Sequence, residues 1–281
     1  MKDIQDTCQS VVLLRELSNE LASCLYTLPE DVWRNPNQYG SGCAQWKLAD
    51  VVAHLVSDSM MLRLSINRAL KGIITSPMGQ KDIMALDSVT RVVSLRVTLD
   101  EDLFTELYTS CKQLNTLLSE LDQDKFEMQV WTPQSIVPIS NLVRTRILEL
   151  AVHTWDIKYP LDRSVEISQK AHSFLLDFLG TWLKTYFRKR DSLQPEASPV
   201  RYQFNLSDGE KKSYQFVINS DSFSMKYGKD PQPDVTYRCD TNTYLLLALG
   251  RIPFTRSLRR GLIEFDGNEA LAAAFTERFS M

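Results

Sequence analysis

The sequence predicts an α+β protein of two domains, a helical bundle over residues 1–190 and a small mixed domain over residues 197–281. Three observations carry that expectation. Apolar residues recur at helical spacing in four long segments before Pro160. The pattern breaks at 192–200, Ser-Leu-Gln-Pro-Glu-Ala-Ser-Pro-Val, which has the composition of a linker. Beyond it, short stretches alternate apolar and polar residues, the period of half-buried strands.

Residues 5–27 read as a first helix with a stripe of Val12, Leu13, Leu17, Leu21 and Leu25. Leu28-Pro29-Glu30-Asp31 ends it in a short turn carrying Trp33, and Pro36, Gly40 and Gly42 mark a loop. A second helix over 46–71 buries Leu48, Val51, Val52, Leu55, Met61 and Leu62, with His54 among them. A polar connection with Pro77, Gly79 and Asp82 leads to a third helix, about 100–121, whose acidic first turn complements the macrodipole. Its stripe is Leu103, Phe104, Leu107, Cys111, Leu114, Leu117 and Leu121.

Trp131, Pro133 and Pro138 exclude a continuous helix over 126–139. A fourth helix starts near Ser140 or Asn141, both good N-caps, and ends near Pro160. Four such helices suggest a four-helix bundle, followed by a fifth helix over about 168–189. In the second domain, strands at 201–206 and 213–219 flank Asp208-Gly209, a hairpin signal. Further strands fall at 223–227 and 235–239, and helices near 241–249 and 269–279 bracket a strand at 262–265.

Composition narrows the class. Hydrophobic content of 43% and charged content of 24% are those of a globular protein. A net charge of −3 argues against a dedicated nucleic-acid binder. No apolar run approaches a membrane span, and Met1–Asp6 does not open a secretory signal. Five scattered cysteines without CxxC spacing point to reduced thiols and a cytoplasmic location.

The chemistry concentrates in Arg146-Ile147-Leu148-Glu149-Leu150-Ala151-Val152-His153. Glu149 and His153, at i and i+4, share a helix face with Cβ atoms roughly 5–6 Å apart, a separation that suits two ligands of one divalent metal. The chain has only three histidines, and an unpaired imidazole is costly among apolar neighbours. His54 is therefore a candidate third ligand. The competing reading makes His54 a core histidine bonded to a backbone or carboxylate partner. Spacing alone leaves both readings open.

The run Trp46-Lys47-Leu48-Ala49-Asp50-Val51-Val52-Ala53-His54-Leu55, then Val137-Pro138, Arg146, Glu149, His153 and Asp156, resembles the mycothiol-dependent maleylpyruvate isomerase family. That family belongs to the DinB-like metal-binding helical bundles. The end of the chain is similar to the sterol carrier protein-like domain that accompanies the bundle, through Gly250-Arg251 and a short strand between Gly261 and Gly267.

The resemblance implies a DinB-like bundle in which His54, Glu149 and His153 hold a divalent metal, with zinc the expected ion. It implies a low-molecular-weight thiol as cosubstrate and a small-molecule electrophile as substrate. The reaction would be a maleylpyruvate isomerase-like cis–trans isomerisation or a thiol S-transfer. Arg251 would hold a substrate carboxylate; a plain surface arginine is the alternative. Arg146 and Asp156 would brace the ligands or form ordinary helix salt bridges. The alternative from another class is a non-enzymatic small-ligand-binding protein with a structural metal. The clusters Lys184, Arg188, Lys189, Arg190 and Arg256, Arg259, Arg260 read as solvated surface, His172 as structural, and the five tryptophans as core anchors.

Overall fold

Leu14, Leu17, Leu21 and Leu25 fall on one side of the first helix, α1 (Lys2–Tyr26), and all four are buried in the computed structural model, which describes residues 2–76, 88–188, 199–209 and 213–279. Leu17, Leu21 and Leu25 are buried as expected, but the stripe begins at Leu14, and Val12 is 47% exposed. The turn carrying Trp33 is a short helix, α2 (Glu30–Arg34), pinned by the Trp33 indole N–H on the Leu25 carbonyl at 2.8 Å. The second long helix is α3 (Leu48–Ala69), buried on most of its circumference.

One long helix escapes the sequence pattern. α4 (Ser88–Leu99) carries Val89, Thr90, Val92, Val93, Val97 and Thr98, β-branched residues that lower helix propensity. Packing overrides that preference: Val92 and Leu95 are buried, and α4 lies against α3 and α5. The Arg91 Nε also donates to Ser57 Oγ at 3.0 Å. The connection through Pro77, Gly79 and Asp82 lies outside the described residues.

α5 (Leu103–Glu120) follows a 3-10 turn at Asp100–Asp102 and buries Leu103, Phe104, Leu107, Cys111 and Leu114 as expected. The proline-bearing stretch forms a small antiparallel hairpin, β1 (Gln129–Trp131) with β2 (Ile136–Pro138). Pro138 then caps α6 (Ile139–Lys158), one or two residues ahead of the expected start. α1 packs on α5 and α6, and α3 packs on the same two helices. These four make the bundle, with α4 as an addition.

The chain divides into two units, Met1–Ala171 and His172–Met281, so the division falls within α7 (Gln169–Tyr186), ahead of the 190/197 boundary that composition suggests. The linker-like stretch up to Pro199 lies almost wholly outside the described residues, as do Lys189 and Arg190.

The second unit holds a five-stranded sheet of order β5-β4-β3-β6-β7. Its strands are β3 (Val200–Leu206), β4 (Ser213–Ile218), β5 (Phe223–Tyr227), β6 (Val235–Cys239) and β7 (Glu264–Gly267). Neighbours pair antiparallel except β3 with β6, which run parallel in the middle. The last strand sits two residues later than expected. At its end Gly267 has φ +113°, and a Cβ there would lie 2.1 Å from the Asp234 carbonyl oxygen, so only glycine closes that edge.

α8 (Thr241–Ala248), α9 (Phe254–Arg259) and α10 (Glu269–Glu277) complete this unit, α9 being absent from the sequence reading. Its core is aromatic: Phe204, Phe216, Tyr237, Tyr244, Phe275 and Phe279 form a continuous set of ring contacts. Among the described residues no helix is long and apolar enough to cross a membrane.

Candidate metal centre

α3 and α6 each bring one apolar face into the bundle, and each interrupts that face with ionisable side chains. On α6 the i, i+4 spacing of Glu149 and His153 places both on one side, and Asp156 follows three residues later. On α3, His54 and Asp58 repeat the same spacing. The donor atoms of His54, Glu149 and His153 all lie within 4.8 Å of one another. His54 Nε2 is 3.1 Å from Glu149 Oε2, and His153 Nε2 is 2.9 Å from that same oxygen.

Other contacts fix the orientation of these donors. His153 Nδ1 lies 2.8 Å from Asp156 Oδ2, so its Nε2 is the ring atom aimed at the site. Asp156 is fully buried. Trp46 stacks over His153 with ring centroids 6.2 Å apart and meets His54 edge-on at 5.1 Å. Gly42 lets its loop reach this position, since its amide donates to the Asp156 carbonyl at 2.8 Å. A Cβ at Gly42 would come within 2.6 Å of the Trp155 ring.

Electrostatics follow from burial and pairing. Burial pushes the Glu149 carboxyl toward its neutral form, but hydrogen bonds with His153 and His54 outweigh it and hold the group well below the usual carboxylate range. Burial likewise opposes charge on His153. Asp156 and Glu149 overcome it and push the imidazole up to about 9. A cation is therefore favoured at this point, whether a proton or a metal.

The donor set fits a metal. Zinc bonds of about 2.0–2.2 Å place tetrahedral ligands ~3.3 Å apart, close to the two separations measured from Glu149 Oε2. Two imidazoles and one carboxylate are also the hydrolase-type donor chemistry of a zinc ion with an open position. Asp58 was not singled out by the sequence, although its place four residues after His54 is a signal of the same kind as Glu149–His153. Arg146 is buried but does not touch Glu149 or His153 by any hydrogen bond; it reaches α3.

Arg251 lies in the second unit, directly after Gly250, whose φ of +68° ends α8. It is only 9% exposed, so it is not the plain surface arginine of the alternative reading, and its Nη1 donates to the Leu249 carbonyl at 3.3 Å. Lys184, Arg188, Arg256, Arg259 and Arg260 are exposed, and His172 is half-buried on α7. Of the tryptophans, Trp155 and Trp182 are buried, whereas Trp46 is half-buried at the site.

A helical bundle with a two-histidine, one-carboxylate cluster on facing helices, joined to an α+β unit, defines the class. Residues 14–158, which include all three donors, match the model of the mycothiol maleylpyruvate isomerase N-terminal domain, and residues 183–280 match the SCP-2 sterol transfer family. The chain belongs to the mycothiol maleylpyruvate isomerase N-terminal domain family. Its fold is shared by the crystal structure of the mycothiol-dependent maleylpyruvate isomerase, at 17% identity and TM-score 0.60. A histidine-to-alanine mutant of that enzyme gives 16% identity and 0.61. Each alignment covers 89% of this chain and 92% of the other. No curated protein matches the chain in sequence.

Proposed function

We propose that the chain is a metal-dependent enzyme that uses a low-molecular-weight thiol, a maleylpyruvate isomerase-like cis–trans isomerase or a related thiol S-transferase. The observation that carries the proposal is the convergence of His54, Glu149 and His153 within 4.8 Å, in a chain of this family. These three residues would hold a divalent ion, zinc first. When bound, that ion supplies Lewis acidity, which favours the thiolate form of a thiol at neutral pH.

The chain's own residues set the conditions for this chemistry. Asp156 holds the His153 ring with Nε2 facing inward. Glu149 supplies a fixed negative charge between the two imidazoles. Trp46 covers the two rings on one side and limits the approach of water there. The thiol brings the nucleophile, so no protein cysteine is needed. Its sulfur adds to one carbon of a conjugated cis double bond while its proton is released. The resulting single bond rotates, and loss of the sulfur restores the double bond in trans form with the thiol regenerated. In the transferase version the adduct is protonated and released.

Arg251 is proposed as the group that binds a substrate carboxylate, through the paired N–H donors of its guanidinium. The test is a panel assay. Zinc-loaded protein is offered mycothiol, bacillithiol, glutathione and ergothioneine with maleylpyruvate and with simple electrophiles. Turnover that requires both metal and one thiol supports the reading. Turnover without any thiol, or none with any pair, overturns it.

A further inference from the structure

Arg146 stands one turn before Glu149 on α6 and is 1% exposed. Its Nη2 crosses to α3, donating to the Leu55 carbonyl at 3.0 Å and to Ser59 Oγ at 2.6 Å. Cys111 Sγ of α5 lies 3.5 Å from the same nitrogen. Leu55 and Ser59 are the residues immediately after His54 and Asp58. The guanidinium thus grips the very turn of α3 that presents both side chains to the site. Asp58 Oδ2 lies 4.0 Å from Arg146 Nη1 and 3.4 Å from His54 Nε2, the same ring nitrogen that faces Glu149. That Nη1 is buried and, among the described residues, has no hydrogen-bond partner.

Taking a guanidinium out of water is costly, and an apolar side chain of similar volume often serves cohesion as well or better. A buried arginine here therefore asks for a role beyond packing. Metal ligands from two helices need their spacing held to about 0.2 Å. A strut between α3 and α6, one turn from Glu149, meets that need.

We infer that Arg146 is a positioning residue of the metal centre: its guanidinium fixes the turn of α3 that carries His54 against α6. The inference rests on the reading that His54, Glu149 and His153 hold a metal. Loss of such outer partners typically weakens metal binding by about 10–100-fold.

The experiment uses the full chain as wild type, Arg146→Met and Arg146→Lys. Cobalt(II) is titrated against a chelating competitor, its visible absorption bands are recorded, and the metal-free proteins are melted. Both variants are expected to fold, to bind cobalt about 10–100-fold more weakly, and to show shifted bands. A lowered melting temperature with wild-type affinity and bands means a merely structural role and overturns the inference. Should Arg146→Met not fold, Arg146→Lys decides alone, since it keeps the charge but loses the guanidinium's reach to Leu55 and Ser59; wild-type affinity there overturns the inference. Failure of the wild-type chain to bind cobalt overturns the metal reading itself and this inference with it. Unchanged binding in the variants of a cobalt-binding wild type overturns this inference only.

Discussion

The bundle and the C-terminal unit fill their interiors with opposite materials. Around α3 and α6 the bundle buries Arg146, Glu149, His153 and Asp156, four ionisable groups tied to one another or to their neighbours. The C-terminal unit buries rings: Phe204 alone contacts Phe216, Tyr237, Tyr244 and Phe275. Its buried polar residues mostly serve the backbone, as Gln203 does by donating to the Phe204 and Tyr214 carbonyls and accepting from the Asp230 amide. Rings give cohesion through area removed from water, whereas charges cost stability unless paired. The core that accepts the second cost is the one in which the proposed chemistry is placed.

The sharpest way to break this contrast is at His153. His153→Ala should bring metal binding below detection by equilibrium dialysis and abolish thiol-dependent turnover, while circular dichroism still reports a folded helical protein. A collapse of the fold instead would make the metal structural and favour the ligand-binding alternative.

The complementary change is Phe204→Ala. It should cost about 3–5 kcal/mol in denaturant unfolding, because a large buried ring leaves a cavity. Its metal affinity, measured where the protein is still folded, should stay at the wild-type value.

pH separates the two cores again. Against the opposing effect of burial, Asp156 and Glu149 raise His153 to about 9 from an unfolded value of about 6.5. In the metal-free chain this contribution to stability is fully present below about pH 6.5 and is lost as pH rises through about 9, on the order of 3 kcal/mol. Metal and proton compete for the same ring, so zinc affinity should rise about tenfold per pH unit toward pH 9 and then level off. Parallel melts and zinc titrations from pH 6 to 10 check both trends. A flat zinc affinity across that range would contradict the geometry at His153.

The smallest expected effect is spectroscopic. Trp46 faces both imidazoles, so cobalt(II) should quench part of the tryptophan emission, and Trp46→Phe should remove that part. Quenching unchanged in the variant would place the ion elsewhere.

How much was legible depends on where each signal lies. Glu149, His153 and Asp156 sit on one helix at 3–4 spacing, so local sequence reveals their shared face. His54 is 95 residues away from Glu149; its apolar setting makes it a candidate third ligand, but spacing leaves the core-histidine reading open, and the resemblance joins it to the pair. α4 was not legible because its valines and threonines carry the propensity of a strand, and the packing that overrides it comes from distant helices. For Arg146 the sequence leaves open bracing of the ligands and a salt bridge within its own helix. Its guanidinium instead crosses to α3, a choice set by the separation of two helices, which no sequence spacing encodes. The strands of the sheet are legible as alternation, but the parallel pairing of β3 with β6 is not, since register across a crossover has no local signature.

Zinc binding by equilibrium dialysis at about pH 8 tests the central claim most directly, with wild type compared against His54→Ala, Glu149→Gln and His153→Ala. The account predicts one zinc per wild-type chain and the loss of that zinc in each single variant. A wild-type chain that takes up no zinc, or variants that all retain it, would contradict the claim that these three side chains form one metal centre.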